Sequence, residues 1–384
     1  MKDNFNKKFE PIKEKNLNKE KELNDEKVHI SSVHGADINS AAELYGLEAD
    51  KIIDFSSNIN PFIVNSMDKI VAAGVNSLQK YPDIKYRRLR KNIADYLGVD
   101  DSQVIPGNGA TEIIYLLMRN LKGRLAIVNP TFSEYRKGAE IAGLSVVDFI
   151  MDWKKDFELD LDEIYRRKDE FDSIFICNPN NPDGSVREIK KLLEFAEKEG
   201  KLLIVDETFI EFVDSEKDIS LINEVYKSKN LFIIRAVTKF FGIPGIRLGY
   251  GVTSNTELLN KMYEEKEPWT INSFADSASD FIFKEWDYIK KSKDYFSKER
   301  ICMINEINKI DGIKAFNSDA NFILVRFENR NILDVKENLL KRAGLLIRDA
   351  SNFIGLDSSF ARVAIKSHEQ NIILLDALRS VLGE

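Results

Sequence analysis

From Leu47 onward, short apolar runs alternate with amphipathic stretches, and this alternation restricts the possible folds more than any other feature of the chain. Runs at 104–105, 125–128, 145–150, 173–177, 202–205, 231–234 and 248–252 have the length and the β-branched content of buried strands. Helical patterns lie between them. Leu89, Ile93 and Leu97 recur every four residues ahead of Gly98, a predicted helix stop, and 189–200 places Leu192, Phe195 and Ala196 on one face. Strands alternating with helices predict an α/β protein whose central, mostly parallel sheet is covered on both faces. Beyond 285 a long charged helical region leads to strands at 321–325, 345–347 and 362–365, which predicts a smaller C-terminal α+β unit. The expected organisation is a charged tail at 1–27, an arm at 28–50 joining the small unit, a large α/β domain at 51–285 and the small domain at 286–384. The tail holds eight Lys against seven Asp and Glu and little that could form a core.

Composition narrows the functional classes. A hydrophobic share of 43% against 31% charged excludes a disordered chain. Lys+Arg 56 against Asp+Glu 63 gives a net charge of -7, the wrong sign for a dedicated nucleic-acid binder. Apolar runs such as 201–205 stop too soon to cross a bilayer. The two cysteines, Cys177 and Cys302, form no C-x-x-C, so neither a disulfide framework nor a metal site is expected. The N-terminus lacks a signal-peptide core, and the expected compartment is the cytoplasm.

Four loops following strands carry the chemistry, at the place where a doubly wound sheet binds ligands. In Gly107-Asn108-Gly109-Ala110-Thr111-Glu112, small residues open a helix whose free N–H groups suit a phosphate. In the loop 177–184, two Asn-Pro steps hold the backbone extended, and Asn181 can offer an amide. The apolar run 203–205 ends in Asp206 and Glu207, costly in a buried strand unless a cation or donor meets them. A metal or a cationic heterocycle nitrogen would serve, and no further ligand lies at metal spacing. Lys239 follows another strand and is hemmed in by Phe240, Phe241 and Ile243. A desolvated amine of this kind has a lowered pKa and can form a Schiff base. Arg247 is a rigid fork suited to phosphate. Taken singly, each of these loops could be an ordinary turn.

In this order, GNGATE, NPTF, NPNNPDG, VDE, TK and RLGY resemble the class I/II aminotransferase superfamily of pyridoxal-phosphate enzymes, fold type I. The resemblance runs from about Val33 to Gly383. It implies that Lys239 holds pyridoxal 5′-phosphate covalently, that Asp206 pairs with the ring nitrogen and that Asn181 donates to the ring O3′. Phe132 would stack on the ring, and Gly109, Ala110, Thr111, Thr238 and Arg247 would hold the phosphate. Tyr81 would reach the phosphate of a neighbouring subunit, which implies a homodimer. Two positions depart from the family pattern. Ala236 stands where a phosphate-binding serine is usual, a loss of about 1.5–3 kcal/mol. Phe209 stands where a tyrosine commonly bonds O3′.

Within the superfamily, His34-Gly35, DFSSNINP at 54–61, ETFIEF at 207–212, Pro268-Trp269, IRDASNFIGL at 347–356 and ARVAIK at 361–366 resemble the L-threonine-O-3-phosphate decarboxylases of cobalamin biosynthesis. The implied substrate is a small phosphorylated amino acid, contacted by His34, Asn58, Arg348 and Arg362. Arg348 and Arg362 lie in apolar strand contexts where a guanidinium needs an anion nearby. The alternatives are an aminotransferase of the histidinol-phosphate type and a non-enzymatic regulator. The short polar tail has no room for the DNA-binding module that such a regulator carries.

Overall fold

The computed structural model describes residues 35–383, so His34, the tail at 1–27 and the first part of the predicted arm lie outside the described residues. Strand β1 (Ile53–Asp54) comes first. Next come β2 (Val104–Gly107), β3 (Arg124–Asn129), β4 (Ser145–Ile150), β5 (Ser173–Cys177), β6 (Leu202–Asp206), β7 (Leu231–Ala236) and β8 (Gly249–Val252). These seven form one sheet in the order β2-β8-β7-β6-β5-β3-β4. Pairing is parallel from β4 through β7, whereas β8 runs antiparallel to both β7 and β2. Every residue of β5 and all but the first of β6 are buried, as strands with helices on both faces require.

The predicted helices form where their apolar periodicity placed them. Arg87–Leu97 buries Leu89 and Ile93 and ends at Gly98 with φ 73°, the left-handed turn that glycine tolerates best. Lys190–Lys198 buries Leu192, Leu193 and Ala196.

The long helix Trp286–Ile307 leads into β9 (Ile313–Ala315), β10 (Phe322–Phe327), β11 (Leu345–Leu346), β12 (Arg348–Asp349) and β13 (Phe360–Ala364). A four-stranded sheet has the order β12-β13-β10-β9. β1 pairs in parallel with β11. Ile53 N–H donates to Gly344 O, Phe55 N–H to Leu346 O, and Ala364 N–H to Phe55 O. The segment entering the large sheet is therefore hydrogen-bonded to the C-terminal strands. Ahead of it, the helix Ile38–Tyr45 packs Ala42 with Leu340 and Leu346.

Asp206 and Glu207, adjacent at the end of β6, face opposite sides of the sheet and are satisfied separately. Glu207 receives Arg235 at 2.8 Å in a buried network that also brings Glu216 within 3.1 Å and Glu211 within 3.6 Å of the same guanidinium. Lys293 completes it through Glu216 at 2.6 Å. Removing the central cation strands buried carboxylates. Arg235→Met is expected to lower the unfolding free energy by about 3–5 kcal/mol, read from urea denaturation.

Candidate active site

Beyond the carboxyl ends of β5, β6 and β7 lies a cavity of about 240 Å³. Of the residues singled out from sequence, Asn58, Ala110, Thr111, Phe132, Asn181, Asp206, Thr238, Lys239, Arg247, Arg348 and Arg362 line it. Gly109 stands at its edge with φ 82°, where an added Cβ would lie 2.4 Å from Arg247 Nη2. Tyr81 does not join them. Its side chain is 80% exposed and rests against Trp269 at a ring separation of 4.8 Å.

The local chain explains each placement. Gly109 caps the helix Ala110–Asn120 without a side-chain cap bond, leaving N–H groups directed at the cavity. Gly249 lets β8 run against that turn, since a Cβ there would meet Ala110 N at 2.4 Å. Lys239 lies in a single helical turn, Val237–Phe240, directly after β7, with Phe240 and Phe241 fully buried beside it. Burial, reinforced by the Arg362 and Arg247 guanidiniums, holds its amine down at about 8. The neutral, nucleophilic form is therefore accessible near neutral pH.

Asp206 is 4% exposed, and burial raises its carboxyl pKa. Among the described residues no cation lies within ion-pair distance of it. Instead Thr208 N–H donates to Oδ1 at 2.8 Å and Tyr135 O–H to Oδ2 at 2.7 Å. A carboxylate so placed suits a cationic nitrogen brought in by a ligand.

The opposite wall comes from the C-terminal sheet. Arg348 and Arg362 are direct cross-strand partners on β12 and β13, so they share one face of the sheet. Arg362 Nη1 donates to Asn181 Oδ1 and Nη2 to Ser56 O at 2.9 Å, while its buried Nε has no partner. Burial first, and Arg348 second, pull its pKa down to about 9. Arg348 donates to Asn352 Oδ1 at 2.9 Å and lies over the Phe353 ring. Asn58 Oδ1 and Thr208 Oγ1, both in the cavity wall, are buried without partners.

Sequence reasoning missed Tyr135, Thr208, Asn352 and Phe353. Tyr135 had a readable signal, since it lies three residues beyond Phe132 at the start of the helix Glu134–Ile141 and so projects to the same side. Asn352 and Phe353 sit in the turn after β12, which carries no periodicity.

The donor set fits an aldehyde-bearing pyridine phosphate. It offers a lowered-pKa amine, a buried carboxylate awaiting a cation, and a glycine cradle at a helix N-terminus beside a guanidinium. Comparison with known proteins agrees. The family model for aminotransferase class I and II matches residues 50–378, and the chain belongs to that family. The threonine-phosphate decarboxylase of Salmonella typhimurium is 32% identical over 92% of this chain and 97% of its own length. Among solved structures, the histidinol-phosphate aminotransferase from Clostridium acetobutylicum superposes with a TM-score of 0.81 at 41% identity, covering 85% of this chain and 98% of that one. The L-threonine-O-3-phosphate decarboxylase from Porphyromonas gingivalis gives 0.76 at 26% identity, covering 86% and 99%. The protein is an enzyme of fold type I, and its cofactor is pyridoxal 5′-phosphate. Among the described residues no helix is long and apolar enough to cross a membrane.

Gly109 tests the cradle. Gly109→Ala adds a methyl against Arg247 at a positive φ, and cofactor affinity is expected to fall about 10–100-fold in an absorbance titration.

Proposed function

We propose that this enzyme decarboxylates an O-phospho-L-amino acid in the cytoplasm, as a step of cobalamin biosynthesis. O-phospho-L-threonine would give 1-amino-2-propanol phosphate, and the serine analogue is the other candidate. One observation carries the reading. Arg348 and Arg362 face each other across the β12–β13 register and line the same cavity as Lys239. Two adjacent guanidiniums suit a substrate with two anionic groups, a carboxylate and a phosphate.

Pyridoxal 5′-phosphate, when bound, supplies an electron sink for the pair released at the substrate Cα. Gly109, Ala110, Thr111, Thr238 and Arg247 would hold its phosphate, and Phe132 would pack on its ring. Asp206 would keep the proton on its ring nitrogen, and Asn181 would donate to its O3′. Asn181 Oδ1 already accepts from Arg362, which leaves the amide N–H₂ for that task. Arg362 and Arg348 would set the angle at which the substrate carboxylate stands. That angle would decide between loss of CO₂ and loss of the Cα proton. Lys239 Nζ would anchor the cofactor and carry a proton to Cα.

A symmetric dimer belongs to this reading, with Tyr81 reaching across to the neighbouring site. Its support is the exposed apolar pair Val71 and Val75 on the helix Met67–Ser77 and exposed Leu78 at its C-cap, with exposed Tyr81 and Trp269 also available to a partner. Analytical ultracentrifugation at micromolar protein would show a monomer if this part is wrong.

The deciding assay supplies O-phospho-L-threonine and no keto acid. Release of CO₂ with an amino-alcohol phosphate is the expected result. The 41% identity to the C. acetobutylicum histidinol-phosphate aminotransferase favours a second reading, transamination. Turnover seen only after 2-oxoglutarate is added would establish that reading in place of the first.

A further inference from the structure

Tyr135 stands in the cavity wall and donates its one O–H to Asp206 Oδ2, at 2.7 Å. Its ring has no freedom. It is 1% exposed, stacks on Phe175 at 4.0 Å and 24°, and meets the Phe132 ring edge-on at 5.7 Å and 84°. The phenol keeps its proton here, because burial and the Asp206 charge hold its own pKa well above the ordinary range. Cys177, the β5 partner of Asp206 across the register, directs its thiol to Pro179 O at 3.2 Å. On the Oδ2 side of the carboxylate Tyr135 is therefore the donor, while Thr208 N–H serves Oδ1.

We infer that Tyr135 is a positioning residue that keeps Asp206 ionised and aims its carboxylate so that the cofactor's ring nitrogen retains its proton. This rests on the assignment of Asp206 to the ring nitrogen. A buried carboxylate that loses one of its donors binds a proton more readily. A proton shared with the ring nitrogen then shifts toward the carboxyl group, and the ring withdraws electrons less well. Phe132 and Tyr135 thus act from one short stretch of chain, one against the ring face and the other through Asp206 at its nitrogen.

The test uses holoenzyme reconstituted with cofactor carrying an isotopic nitrogen label in the ring. In Tyr135→Phe the ring-nitrogen magnetic resonance should move toward the unprotonated position. The turnover number should fall about 10–100-fold, with KM changed by less than about threefold. Tyr135→His, which keeps a donor, should recover part of both, and Tyr135→Leu, which removes it, serves in place of Phe if that variant does not fold. A wild-type resonance in Tyr135→Phe, whatever its activity, overturns the inference. Asp206→Asn separates the two levels. If it shifts the resonance and Tyr135→Phe does not, only the role of Tyr135 falls. If Asp206→Asn leaves the resonance unchanged, the assignment of Asp206 falls with it.

Discussion

Replacing Lys239 by alanine is expected to lower turnover about 10⁴-fold, since in the proposed assignment one side chain both anchors the cofactor and carries the proton. Borohydride reduction of the wild-type holoenzyme, followed by peptide mapping, should place the cofactor on residue 239. A label elsewhere would refute the assignment. The amine pKa near 8 also sets a pH signature. Capture of pyridoxal 5′-phosphate by the apoenzyme should accelerate about tenfold per pH unit up to about pH 8 and then level off, as the neutral amine becomes the dominant form. Stability carries the opposite face of the same shift. The unfolded chain binds a proton at Lys239 near the ordinary 10.5 and the folded chain only near 8. The resulting penalty, at most about 3 kcal/mol, is complete below pH 8 and fades as pH rises toward 10.5. Apo Lys239→Met should therefore exceed wild type in urea midpoint at pH 7, and the gap should narrow in alkali.

Arg362→Ala is expected to lower kcat/KM about 10³-fold while cofactor affinity falls less than about tenfold. A buried guanidinium that meets a substrate anion is worth several kcal/mol to the complex, whereas its links to the cofactor are indirect, through Asn181 and through its field on Lys239. Arg362→Lys should recover little, because a point charge cannot reach both Asn181 Oδ1 and Ser56 O in the fork geometry. Steady-state kinetics beside an absorbance titration of cofactor checks both numbers. Equal losses in the two would move Arg362 from the substrate to the cofactor grip.

The large sheet and most of the cavity were legible in the sequence for a common reason. Strands buried on both faces read as unbroken apolar runs, and Gly109, Asn181, Asp206 and Lys239 each stand at or just beyond the end of one. Features depending on distant partners left no local trace. β1 is two residues long, too short for any period, and its pairing with β11, which falls within the strand predicted at 345–347, joins residues 292 positions apart. The reversed direction of β8 is set by its neighbours β2 and β7, not by its own residues. Asp206 and Glu207 read as one acidic pair, and only the pleat assigns one to the cavity and the other to Arg235.

Ser56, whose carbonyl accepts a hydrogen bond from Arg362, lies 306 residues before it in the chain. During synthesis on the ribosome the glycine cradle and the lysine emerge long before the strand that completes the substrate wall. The segments that would hold the vitamin-derived aldehyde thus precede in the chain the one that would clasp a reactant, and competence waits on β13.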